Sequence, residues 1–200
     1  TPSYIEYWKE EDKKVNERLK RINSLEIKSL HFESAITDFT VGFRREAKFE
    51  GCSSTTTSGL VFYPNLPTIE IFNTPDKDTA DGYITTTRPV SVMGKETESV
   101  KLYFEKGKCV KAEAKEGQKV IDDYLQIDEG SSRLGEIALV DDSSAISKTG
   151  LVFGSILIDE NASCHIALGS GYTSNLHIGK EDPKDYGCNE SLVHTDFMVG

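Results

Sequence analysis

The sequence predicts an α+β fold, strand-dominated and mixed, with a barrel-like sheet and two or three helices. One long segment near the start spaces its apolar residues at helical intervals. Most of the remaining chain breaks into short alternating or β-branched stretches. Gly, Pro and Asn clusters punctuate those stretches as turns. With 37% apolar and 28% charged residues in a chain of 200, there is enough apolar side chain for one core, and a single domain is the natural division.

The helix is expected over residues 3–23, where Tyr4, Trp8, Val15, Leu19 and Ile22 fall between runs of Glu and Lys. Asn23-Ser24 ends it. Strands are expected at 26–32, 36–43 and 45–49, and the Ser- and Thr-rich stretch 51–59 reads as a loop. Pro64-Asn65-Leu66-Pro67 turns the chain into a strand at 68–72, which Asn73-Thr74-Pro75 closes. Further strands follow at 82–87, 90–93, 99–105 and 108–114, with Glu105-Lys106-Gly107-Lys108 as a hairpin tip. A short helix fits 119–125, with Val120, Tyr124 and Leu125 inward. Residues 130–134 form a loop and 135–140 an apolar strand. The run 151–158 is almost continuously apolar, which implies burial but does not type the element. Residues 169–187 are Gly-rich, polar and irregular, as site loops often are.

Composition excludes several classes. A net charge of −10 gives no electrostatic reason to seek nucleic acid or anionic lipid. No apolar run reaches the roughly 18 residues of a membrane helix, and Thr1-Pro2-Ser3-Tyr4 has neither the basic nor the apolar part of a signal peptide. Cys52, Cys109, Cys164 and Cys188 are widely spaced and form no Cys-x-x-Cys. They read as reduced thiols of a cytoplasmic protein, with two disulfides as the alternative. Thr at the first position and the apolar strand Asp196-Phe197-Met198-Val199-Gly200 at the last both suggest a piece of a longer polypeptide.

Chemistry concentrates late in the chain. In a strand, His194 and Asp196 point to one face and can clamp a cation, or lie idle at a surface. The acids of Asp159-Glu160-Asn161-Ala162-Ser163-Cys164-His165 sit between apolar segments, where unpaired charge is costly. Asp159 also suits a helix cap. Glu160 and His165 are five apart, about 140° around a helix, so they share a face only if the helix ends between them. Glu136 opens a buried-looking strand, and Glu70 alternates with Ile69 and Ile71; each is alternatively a plain surface acid. Tyr172 follows Gly169-Ser170-Gly171, whose glycines allow a close backbone approach. Gly169-x-Gly171 has no third glycine, and there is no Gly-x-Ser-x-Gly, P-loop or His-Glu-x-x-His. Cys164 and His165 are sequence neighbours, a poor geometry for nucleophile and base, so Cys164 reads as a small core residue.

Four segments together resemble the M29 family of metallo-aminopeptidases: Asn65-Leu66-Pro67-Thr68-Ile69-Glu70-Ile71-Phe72-Asn73-Thr74-Pro75, Gly135-Glu136-Ile137-Ala138-Leu139-Val140, Asp159-Glu160-Asn161-Ala162-Ser163-Cys164-His165-Ile166-Ala167-Leu168-Gly169 and His194-Thr195-Asp196-Phe197-Met198-Val199-Gly200. Fainter likeness around Trp8, Leu30-His31-Phe32 and Thr37-Asp38 extends it over nearly the whole chain. The resemblance implies a metal-binding catalytic domain over 1–200 of a two-domain enzyme. Its N-terminal α/β domain and the last strands would lie outside this chain, and the intact enzyme would be a homodimer. It implies metal ligands at Glu70, Glu136, Glu160, His165, His194 and Asp196, and an active-site tyrosine at Tyr172. Ile69 stands where the family usually has Gly, and Gly171 where Ala is common. His31 and His177 match no ligand position.

Four carboxylates and two imidazoles are too many for one tetrahedral zinc with an open position. They suit two divalent ions, zinc, cobalt, manganese or magnesium, about 3.5–4 Å apart and sharing a carboxylate. The expected reaction is release of N-terminal amino acids from peptides with a free N-terminus by a metal-activated water. Tyr172 would serve as oxyanion donor, and Glu70 or Glu136 would relay the proton to the leaving amine. One rival is a catalytically incompetent metal-binding or dimerisation fragment. Another is a carbohydrate- or peptide-binding β domain, which leaves the buried-looking acids unexplained.

Overall fold

The computed structural model describes residues 3–200; Thr1 and Pro2, where the sequence begins without Met, lie outside them. The expected long helix is α1 (Tyr4–Ser24). Its start is fixed by a capping box: the Glu6 N–H donates to Ser3 Oγ at 3.3 Å and the Ser3 N–H donates to the Glu6 carboxylate at 3.2 Å. Val15 is buried on its inner face, with Leu19 and Ile22 packed against the core, while Tyr4 is exposed. Asn23 binds both backbone groups of Phe49 at 2.9 Å, which docks the helix end.

The strands are β1 (Ser29–Ser34), β2 (Thr37–Gly42), β3 (Ser54–Thr55), β4 (Val61–Phe62), β5 (Ile71–Asn73), β6 (Asp81–Thr85), β7 (Val90–Val92), β8 (Lys95–Thr97), β9 (Lys101–Glu105), β10 (Lys108–Glu113), β11 (Leu134–Leu139), β12 (His165–Gly169) and β13 (His194–Met198). Three further helices are short: α2 (Gln118–Tyr124), α3 (Ala145–Thr149) and α4 (Ile156–Asp159). The described residues therefore hold four α-helices rather than two or three.

The α+β class holds, but the barrel does not. One antiparallel sheet runs β1-β2-β6-β9-β10 and a second runs β13-β12-β11-β5. Two ribbons, β3-β4 and β7-β8, stand outside both. β1 and β10 are the edges of the first sheet, β10 carrying only the single bridge Lys108–Arg133 beyond its pairing with β9, so no ladder closes on itself.

The five-stranded sheet alternates as its sequence does. Phe39 and Val41 on β2, Ile84 on β6, and Leu102 and Phe104 on β9 face inward. Phe39 stacks on Phe104 with ring centroids 5.3 Å apart. The β9–β10 turn has Lys106 and Gly107 at φ 48° and 81°, as a two-residue hairpin requires. A side chain at Gly107 would strike the Lys77 carbonyl. In the four-stranded sheet nearly every residue of β11, β12 and β13 is buried, with α2 sealing it through a 2.8 Å bond from the Tyr124 hydroxyl to the Leu168 carbonyl.

Two expectations fail locally. Residues 45–49 form no strand, because their backbone pairs piecemeal: Ala47 bridges Leu176, the Lys48 N–H donates to the Asn175 carbonyl, and the Lys48 carbonyl accepts from Asn175 Nδ2. The run 151–158 is not buried: Leu151, Val152 and Phe153 are 57%, 49% and 43% exposed. There the Asp159 carboxylate accepts from the Phe153 and Ser155 N–H groups at 2.9 and 3.1 Å and closes a local turn. All four cysteines are free thiols, and no described helix is long and apolar enough to cross a membrane.

Candidate metal centre

Cross-strand register explains why distant residues converge. Glu136 on β11 lies opposite Ala167 on β12, and Ala167 opposite Asp196 on β13. Directly opposed residues in antiparallel strands share a face. His165 and His194 sit two positions before Ala167 and Asp196, so they share it too. On the other side Ala138 opposes both His165 and Phe72, and Glu70 is two residues before Phe72. One face of one sheet therefore carries five ligand-capable side chains over a floor of small residues, Ala138 and Ala167.

These side chains form two sets, Glu70 with Glu136 and His165, and Glu136 with His194 and Asp196. Within each set one ligand atom from every residue lies within 4.8 Å of the others, and Glu136 belongs to both. His165 Nε2 is 3.1 Å from Glu70 Oε2 and 4.0 Å from Glu136 Oε1. His194 Nε2 is 3.2 Å from Glu136 Oε2 and 3.4 Å from Asp196 Oδ1. Yet Glu70 Oε2, His194 Nε2 and Asp196 Oδ1 are buried with no aligned hydrogen-bond partner. Two ligands bonded at about 2.1 Å to one tetrahedral ion stand about 3.4 Å apart. Lone pairs crowded at that spacing, buried and unpaired, fit a divalent cation better than they fit one another. The imidazoles are oriented from behind: His165 Nδ1 lies 3.3 Å from the Ser163 carbonyl and His194 Nδ1 2.7 Å from that of Ser170. Donation from Nδ1 leaves Nε2 as the ligand.

The electrostatics match. Burial pushes the Glu136 carboxyl up, His194 opposes this, and Asp196 adds to it. Glu160 is pushed up to about 8 by burial and then by Glu70 and Asp196. Burial works against a charged His165, but Glu70 and the other acids raise it well above its ordinary value. His194 is raised to about 10 against the same burial by Asp196 and Glu136. Burial would raise Asp196, yet the two histidines hold it below its usual value. The neighbouring acids thus favour protonated imidazoles, while burial favours protonated Glu136 and Glu160.

Glu160 joins neither set. It ends the α4 turn and, with Glu70, Glu136 and Tyr172, lines an open cleft of about 1030 Å³. Tyr172 is held by its backbone: its N–H donates to Thr74 Oγ1 at 3.0 Å, and that hydroxyl donates to its carbonyl at 2.7 Å. Its ring lies against Phe72 and His194, with centroids 5.2 and 5.1 Å away. Burial and then Glu136 raise its hydroxyl, which stays protonated. Ile69 does not keep Glu70 from the cluster. His31 pairs with exposed Asp38 at 2.9 Å and His177 approaches Glu50 at 3.8 Å, both outside the two sets. Sequence reasoning missed Thr74, Asn161 and Asn175, buried polar residues that hold the backbone of the ligand-bearing segments. Their signal was the presence of polar residues inside otherwise buried stretches.

Comparison with known proteins gives a consistent picture. The model of the family described as thermophilic metalloprotease (M29) matches residues 1–200. Aminopeptidase AmpS of Bacillus subtilis is 37% identical over 98% of this chain and 49% of its own length. Aminopeptidase T of Thermus thermophilus is 38% identical over 98% of this chain and 48% of its own. The chain thus spans about half the length of the curated relatives it matches. The solved structure of wild-type AmpT from Thermus thermophilus superposes with a TM-score of 0.93 at 38% identity, over 98% of this chain and 49% of that one. A 2,5-dihydroxypyridine dioxygenase from Pseudomonas putida superposes at 0.61 with 15% identity over 91% of this chain and 53% of that one, a likeness of fold alone. Since the family's pattern is matched from the first residue to the last, this chain belongs to the M29 family of thermophilic metalloproteases.

Proposed function

We propose that this chain is the metal-binding catalytic domain of a metal-dependent aminopeptidase that releases N-terminal amino acids from peptides at a dinuclear site. The observation that carries this is the pair of buried ligand sets sharing Glu136. Glu70, Glu136 and His165 would hold one divalent ion, and Glu136, His194 and Asp196 the other, with Glu160 a further donor from the cleft wall. Zinc, cobalt, manganese and magnesium all suit this mixed set. When bound, such ions polarise a peptide carbonyl and bring the pKa of water toward neutrality. Tyr172, its hydroxyl kept protonated, donates a hydrogen bond to the oxygen that gains charge. The carboxylate of Glu136 or Glu70 carries the proton to the leaving amine. The surplus of carboxylates on the cleft wall favours a substrate with a free α-ammonium, hence cleavage from the N-terminus. We place the enzyme in the cytoplasm, consistent with four free thiols, and as a homodimer of two-domain chains.

A second reading is a domain that binds metal but does not turn over alone; coverage of only half of each relative favours it. One experiment separates the two. Elemental analysis of gently purified protein gives ions per chain, and an aminoacyl chromogenic substrate assays the same sample. Two ions with turnover support the aminopeptidase. Two ions without turnover support the second reading. No ion after addition of zinc or cobalt overturns both.

A further inference from the structure

Glu70 and Glu160 reach the cleft from segments 92 residues apart, measured between Ile69 and Asn161. Neither segment is inside a long element. Glu70 precedes the three-residue strand β5, and Glu160 follows the four-residue helix α4. Such short elements do not by themselves fix a carboxylate to a few tenths of an ångström, as metal binding requires. One fully buried side chain joins the two. Asn161 Oδ1 accepts from the Ile69 N–H at 2.8 Å, and Asn161 Nδ2 donates to the Pro67 carbonyl and to the Leu157 carbonyl, each at 3.3 Å. The amide thus makes a two-point, backbone-like pairing with the stretch that leads into Glu70, and its own backbone follows directly on Glu160. On the opposite side, the Asn161 carbonyl accepts from Ser144 Oγ, which ties it to the start of α3 and not to any ligand.

We propose that Asn161 is a positioning residue that sets Glu70 against Glu160 and so tunes one ion position selectively. This rests on the dinuclear reading above. Of the two ligand sets, only that of Glu70, Glu136 and His165 depends on the segment Asn161 grips. Glu136, His194 and Asp196 are placed by strands it does not touch. Loss of such a supporting contact typically weakens metal affinity by about 10–100-fold.

The test is a zinc titration of wild type, Asn161→Ala, Asn161→Asp and Ser144→Ala, followed by calorimetry with melting temperature and circular dichroism on the same samples. The wild type is expected to show two sites. Asn161→Ala should weaken one of them by about 10–100-fold and leave the other within about threefold. Asn161→Asp keeps the acceptor for the Ile69 N–H but turns an oxygen toward the Pro67 carbonyl. Its added negative charge alone would tighten a cation site, so weakened binding in this variant reports position, not charge. If Asn161→Ala does not fold, Asn161→Asp carries the test. Ser144→Ala should change stability only. Equal weakening of both sites, or two unchanged sites in a folded variant, overturns the positioning role while leaving the dinuclear centre intact. A wild type that binds no ion overturns the centre and the positioning role together.

Discussion

The two sheets solve opposite problems with the same antiparallel ladder. The five-stranded sheet has a wet face and a dry one, and its dry face is aromatic and aliphatic: Phe39, Val41, Ile84, Leu102 and Phe104. The four-stranded sheet is covered on both faces, yet one of those faces carries Glu136, His165 and Asp196. The first face gains stability from apolar burial, roughly 25 cal/mol per Å². The second forgoes it and crowds carboxylates, whose burial is unfavourable until a cation or protons balance them. Chemistry is confined to that ligand face, and the opposite face of the same sheet keeps its apolar burial through Ile137, Ile166, Leu168 and Phe197.

The sharpest way to break that contrast is Glu136→Gln. Glu136 is common to both ligand sets, so turnover should vanish and both ion affinities should fall. Metal-free protein should respond in the opposite sense. Burial raises the Glu136 pKa in the fold, so ionisation destabilises the folded state as pH rises above the unfolded value of about 4.3. The variant should melt higher than wild type in chelator, with a gap that widens as pH rises above that unfolded value; a variant that melts lower than wild type at neutral pH would refute this account. Tyr172→Phe comes next: kcat should drop by about 10²–10³-fold with ion content unchanged, and an equal drop in metal binding would show a structural role instead.

Smaller effects sharpen the contrast from the other sheet. Ile84→Val, at a site buried to 1%, should cost about 0.5–1.5 kcal/mol in denaturant unfolding and leave ion affinity alone. Smallest, and back at the edge of the ligand sheet, is Asp128→Asn. The Asp128 carboxylate accepts from the Leu192 N–H at 2.7 Å, just before β13, and also binds Ser131 and Ser191. The Leu192 bond, opposed by burial and aided by Ser191, holds its pKa below the usual value. Its contribution is therefore present above the unfolded pKa and lost as pH falls through the folded one. Because the group is partly open to solvent, the variant should lose under about 1 kcal/mol at pH 7, and the difference should close as pH falls through the folded pKa.

Legibility in the sequence followed the same division. α1 and the β9–β10 hairpin are readable because local chemistry decides them: apolar residues fall at helical spacing along α1, Lys106-Gly107 turns, and apolar residues alternate along the strands. Residues 45–49 were not, since their pairing comes from Asn175, far along the chain. The run 151–158 misled because apolar sequence states what would gain from cover without stating that cover is present. At the centre, the spacing of His194 and Asp196 gave one shared face directly. The remaining ligand assignments came from the family resemblance, because register between β11, β12 and β13 is a tertiary fact. Sequence also gave no hint that Glu160 stands apart from the two sets, since that depends on where the α4 turn ends.

The ligand face also orders events in time. Its donors run from Glu70 to Asp196, and the β5 and β13 ends of the sheet are joined only through β11 and β12. No short stretch of chain holds a complete set, so ion capture follows long-range strand pairing, the slow part of folding. A nascent or partly folded chain offers at most the local pair His194 and Asp196, with the other donors scattered, and would compete poorly for cellular metal. An ion held by these donors would arrive after the architecture and report that it is complete.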